Sequence, residues 1–129
     1  MDKRQVNPWT WQDAAGFSQG WRVDGAGSVM FVSGQAPVSA DGQLVGEGDF
    51  ETQVRQVFEN LRTVLDGAGM GLDAIVKLTV YLTDMSLLRD YTRIKGEFLS
   101  GDQPASTAVG VTALARPEMM VEVEAVAVS

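Results

Sequence analysis

The segment Val121–Val128 reads Val-Glu-Val-Glu-Ala-Val-Ala-Val, and it limits the folds open to this chain more than any other stretch. Strand side chains point alternately to opposite faces. Val121, Val123, Ala125 and Ala127 therefore share one face, which the pattern assigns to a core. Glu122 and Glu124 share the other with Met120 and Val126. An unpaired carboxylate is costly to bury. The carboxylate face must then meet water, find partners across an interface, or hold a group that does chemistry.

The rest of the chain supplies a partner for the apolar face. Phe50, Val54, Val57, Leu61, Val64 and Leu65 recur at helical spacing, which predicts a helix over 50–66 with Asp49 as its N-cap and Gly67 or Gly69 as its stop. The run 75–82 is rich in β-branched residues and reads as a central strand, apolar on both faces. Leu87, Tyr91, Ile94 and Phe98 mark a second helix, capped by Ser86. Trp21-Arg22-Val23 and Val29–Ser33 read as a hairpin joined by Asp24-Gly25-Ala26-Gly27. The glycine-, proline- and asparagine-bearing residues 1–20 read as a loop or irregular edge. Residues 104–111 and 121–128 give the last two strands. The predicted order, β-β-α-β-α-β-β, is that of an α+β layer with two helices on one face of a mixed sheet. The other face is left without a helix, so it should be exposed, closed on itself or buried against another subunit, and the apolar residues on both faces of the 75–82 strand favour an oligomer.

Composition removes several functions. The chain has 129 residues, 45% hydrophobic, enough for a single domain spanning 1–129 with its own core. It has neither cysteine nor histidine. Thiol catalysis, disulfides, a Ser-His-Asp triad and a His-based zinc site are therefore excluded, and no metal site is expected. A net charge of −7 with scattered Lys and Arg argues against nucleic acid as a partner. No apolar run is long enough for a bilayer, and the polar N-terminus leads into no signal-peptide core, so no membrane partner and a cytoplasmic location are expected.

Several segments in chain order resemble the Rid family, also called YjgF. Gly16-Phe17-Ser18-Gln19 is similar to its Gly-Pro-Tyr-Ser-Gln segment, and Val32-Ser33-Gly34-Gln35 to its Ser-Gly-Gln strand end. Gln53 to Gly69 is similar to its long helix, and Val76–Asp84 to its central strand and turn. Pro104–Val109 and Val121–Ala125 are similar to its closing strands. The resemblance implies a chorismate-mutase-like fold and a homotrimer whose sheets face inward, with ligand clefts between subunits. Deaminating members hydrolyse enamines and imines released by pyridoxal-phosphate enzymes to the 2-keto acid and ammonia, without a cofactor. The resemblance places the catalytic carboxylate at Glu122 and ligand contacts at Phe17, Ser33, Gly34, Thr92, Ser106 and Thr107.

This chain departs from the family at three of these positions. Ser106 stands where deaminating members carry an Arg that grips the substrate carboxylate in a bidentate fork. Phe17 stands where a Tyr hydroxyl is expected, and Thr92 where Asn is frequent. The expectation is a small-molecule site that keeps its water-handling carboxylate and has lost its clamp, so that 2-imino acid deamination is weak or absent. A non-catalytic trimer that binds a small metabolite is the alternative. A ribonuclease or translation inhibitor, a label given to some family members, fits an acidic chain without histidine poorly. Each residue also has a plain structural reading. Glu122 can be a surface strand carboxylate or half of an inter-subunit ion pair, Ser106 and Thr107 ordinary strand hydroxyls, and Ser33-Gly34 a turn.

Overall fold

A computed structural model describes all of residues 1–129. Its elements are β1 (Asp2–Val6), β2 (Gly20–Asp24), β3 (Val29–Gln35), α1 (Phe50–Asp66), β4 (Ile75–Leu82), α2 (Leu88–Phe98), β5 (Ala105–Gly110) and β6 (Val121–Val128). The predicted order is present with one more strand at its start. β3, β6, β4 and β5 lie side by side in that order. β6 runs antiparallel to both β3 and β4, while β5 runs parallel to β4. The sheet is therefore mixed, and α2 is the crossover that parallel β4 and β5 require.

The apolar stripes of both helices pack on one face of this sheet. Val54, Val57, Phe58, Leu61 and Leu65 from α1 and Tyr91 and Ile94 from α2 join Leu78, Val80 and Leu82 of β4 in one cluster. β6 contributes Val121, Val123, Ala125 and Ala127, the face its alternation predicts. Each Val, Leu, Ile or Phe side chain so taken out of water contributes about 1.5–3 kcal/mol, so a register slip of one residue would be costly. Asp49 caps α1 as predicted, accepting from the Thr52 amide.

Four expectations need correction. Residues 2–6 are a strand rather than a loop. Their sequence, Asp-Lys-Arg-Gln-Val, has little β preference, and pairing with β2 is what makes them one. The predicted hairpin does not form, because β2 pairs with β1 and β3 with β6. The turn at 24–27 instead passes the chain from the small sheet to the large one. The second face of β4 is not apolar: Lys77, Thr79 and Tyr81 occupy it. Ser86 does not cap α2. A short 3₁₀ turn, Met85–Leu87, precedes that helix, and Asp84 caps the turn by accepting from the Ser86 amide.

The helix-free face remains uncovered in one protomer. Glu122, Glu124 and Val126 lie on it with Lys77, Thr79 and Tyr81, and Phe31 at its edge is 79% exposed. No helix is long and apolar enough to cross a membrane.

Candidate functional site

The expected site residues fall into two groups on opposite faces of the sheet. The first lies on the helix side. Ser106 pairs with Leu78, a core residue, so its side chain faces α2. Phe17, Thr92 and Ser106 line one cavity of about 220 Å³ between α2 and the β4–β5 edge. Local structure delivers Phe17 there. Ser18 bridges to Ala105 in parallel fashion, and its amide donates to the Pro104 carbonyl at 3.0 Å. The N-terminal segment thus continues the sheet beyond β5 and brings Phe17 to the cavity. Trp11 packs edge-on against Phe17 at 5.7 Å.

The second group lies on the helix-free side. Val32 pairs with Ala125 but Gln35 with Val123, so β3 carries one extra residue at Ser33-Gly34. Such bulges re-aim a strand locally and are frequent beside active sites. The Glu122 side chain crosses the backbone here. A β-carbon on residue 34 would stand 2.9 Å from the Glu122 carboxyl carbon, so any larger residue here would displace the Glu122 side chain. Thr107 also belongs to this side, opposite Thr79, and its hydroxyl accepts from Lys77 at 2.7 Å. Consecutive residues Ser106 and Thr107 therefore serve opposite faces.

The two strand carboxylates are not equivalent. Glu124 accepts a hydrogen bond from the Tyr81 hydroxyl at 2.6 Å. That bond, together with burial and the nearby charges of Glu124 and Glu122, raises the Tyr81 phenol above its ordinary pKa. Glu122 is half-buried, stands opposite Tyr81, and forms neither an ion pair nor a hydrogen bond through its side chain within the protomer. A carboxylate left free beside a bulge can orient a water molecule or move a proton.

Two residues of the helix-side cavity escaped the sequence reading, Tyr91 and Lys95. Tyr91 reads as an apolar stripe residue, yet its buried hydroxyl has no partner. Lys95 is 3% exposed and donates to the Gly16 carbonyl at 2.6 Å. Burial pushes its ammonium pKa down from 10.5 to about 8. The available signal was spacing: Lys95 lies four residues after Tyr91, on the buried side of α2.

Comparison with known proteins agrees with this architecture. A family model described as Endoribonuclease L-PSP matches residues 10–129. A protein of unknown function of the conserved Rid protein family from Yersinia pestis, YyfB, superposes with a TM-score of 0.89 at 33% identity, covering 100% of both chains. This chain belongs to the Rid family. The Protein DfrA of Myxococcus xanthus is 36% identical over 113 residues, 88% of this chain and 85% of that one. E. coli TdcF, solved with bound serine, superposes with a TM-score of 0.73 at 31% identity, covering 88% of this chain and 87% of that one. Rid membership accounts for a mixed sheet with both helices on one side and the other side bare.

Proposed function

We propose that the protein is a cytoplasmic homotrimer that binds or acts on a small enamine, imine or carbonyl metabolite at clefts between subunits, and deaminates ordinary 2-imino acids weakly or not at all. The observation that carries this reading is the division of the site. Phe17, Thr92 and Ser106 line a cavity on one face of the sheet, while Gly34 and Glu122 stand on the other. One protomer cannot close these halves on a single ligand. A cyclic oligomer can, because a heterologous interface sets one face of each copy against a different face of the next. The exposed Phe31 and the bare strand face supply surface for such an interface.

The chemistry follows from what each half holds. Glu122 would orient water for attack on a C=N carbon and pass its proton to the departing nitrogen. Ser33, Gly34 and Thr107 would border it, and the reaction needs no cofactor. Serine bound to TdcF supports a ligand of this size bearing a carboxylate. Ser106 offers that carboxylate one hydroxyl where an Arg would offer a charged fork, a loss worth on the order of 2–4 kcal/mol. A trimer that binds the same class of metabolite without turning it over is the second reading, favoured by the absent fork.

Turnover of freshly generated 2-imino acids tests the proposal. Wild type should be slow, Ser106→Arg at least about tenfold faster, and Ser106→Arg with Glu122→Ala back at background. Fast wild-type turnover that survives Glu122→Ala would refute both assignments. No turnover by any variant, with binding retained, would favour the non-catalytic trimer. Release of soluble fragments from RNA, abolished by Glu122→Ala, would favour the endoribonuclease named by the matching family description.

A further inference from the structure

The cavity beside Ser106 holds a cation without a counter-ion. Lys95 is almost fully buried, and none of the protein's ion pairs includes it. Its one hydrogen bond goes to the Gly16 carbonyl, although an ammonium carries three donors. No carboxylate lines the cavity, whose walls are mostly apolar. A buried charge is normally paired, and one left unpaired destabilises the fold. Tyr91 lines the same cavity with a buried hydroxyl that has no partner. An unpartnered hydroxyl residue and a lysine with donors to spare therefore line one small cavity with Ser106 and Thr92. Each has the hydrogen-bonding capacity that an anionic oxygen ligand would use.

We propose that Lys95 is the cation that binds the carboxylate of a small 2-oxo or 2-imino monocarboxylate in this cavity, with the Tyr91 hydroxyl as a second donor. The proposal rests on the functional reading above and identifies the charge that Ser106 cannot supply. Lys95 reaches the cavity from α2 whereas Ser106 reaches it from β5, so the carboxylate would be held from the helix side. An ammonium is a point charge and lacks the planar fork of a guanidinium. It would retain the ligand without fixing its plane, as the weak deamination proposed above requires. With a pKa of about 8, Lys95 is mostly charged at neutral pH, as a carboxylate partner requires.

The test compares 2-oxobutanoate with its uncharged methyl ester by titration calorimetry on the intact protein. Wild type should bind the acid at least about tenfold tighter than the ester. Lys95→Met should bring the two within about threefold of each other, and Lys95→Gln, which can still donate to the Gly16 carbonyl, should do the same. Equal binding of acid and ester by wild type would overturn the proposal whatever the variants do. An acid preference that persists in folded Lys95→Met would overturn it while leaving the broader reading intact. Binding of neither probe by wild type would overturn both. Borohydride treatment in the presence of the acid should leave Lys95 unmodified. A reduced adduct on its Nζ would show that it acts as a nucleophile and would also overturn the clamp.

Discussion

Lys95 carries a stability cost that can be measured without any ligand. Its folded pKa of about 8 lies below the ordinary 10.5, so the folded protein releases this proton first. Below pH 8 the ammonium is present in both states, and its burial opposes folding. Between about 8 and 10.5 the unfolded chain holds one proton more than the folded one, and stability therefore rises with pH, by at most about 1.4 kcal/mol per pH unit. Urea unfolding at fixed protein concentration across this window should show the rise in wild type. Lys95→Met should be the more stable near neutrality and should lack this contribution to the rise. Parallel pH profiles for the two proteins would contradict the burial of a charge at Lys95. Tolerance of this cost fits a residue kept for a ligand.

The elements place the half-sites through polar residues that hydropathy does not reveal. Gln53 lies on the buried side of α1. Its amide nitrogen donates to the carbonyls of Gly46 at 3.0 Å and Glu118 at 2.9 Å, and its oxygen accepts from the Met120 amide at 2.8 Å. This side chain fixes the entry to β6 two residues before Glu122. Gln53→Leu keeps the volume but strands three backbone groups, and should cost about 2–4 kcal/mol by chemical denaturation. A loss below about 0.5 kcal/mol would mean that water replaces Gln53 there. The same contrast explains what the sequence conveyed. The alternation of 121–128 and the stripes of both helices are local signals, and they identified the core face correctly. β1 has no such signal, because a strand made by pairing with β2 is a tertiary fact. The hairpin failed for a related reason: turn residues at 24–27 permit a reversal but do not choose the partner of either strand. Ser106 and Thr107 are adjacent in sequence, and only the register of β5 on β4 assigns them to opposite faces. Lys95 was hidden because a lysine is normally exposed, and its burial becomes evident only once the 12–17 loop covers it.

At the scale of the whole molecule, the central claim is that a working site needs two copies of the chain. The helix-side half supplies Lys95 and Ser106, and the bare-face half supplies Gly34 and Glu122. Two variants, each blocking one half, test this most directly. Lys95→Met should disable the first half, and Gly34→Val should disable the second by placing bulk against the Glu122 side chain, where a β-carbon alone would come within 2.9 Å. Each variant alone should bind 2-oxobutanoate at least about tenfold more weakly than wild type. Co-refolding the two in equal amounts should yield mixed trimers, by sedimentation, in which about one quarter of the clefts combine an intact half from each neighbour. Calorimetry should then recover binding at about one quarter of the wild-type capacity with wild-type affinity. Mixed trimers that bind no more than either parent variant, or a chain that sediments as a monomer while the wild type binds at full capacity, would contradict the account.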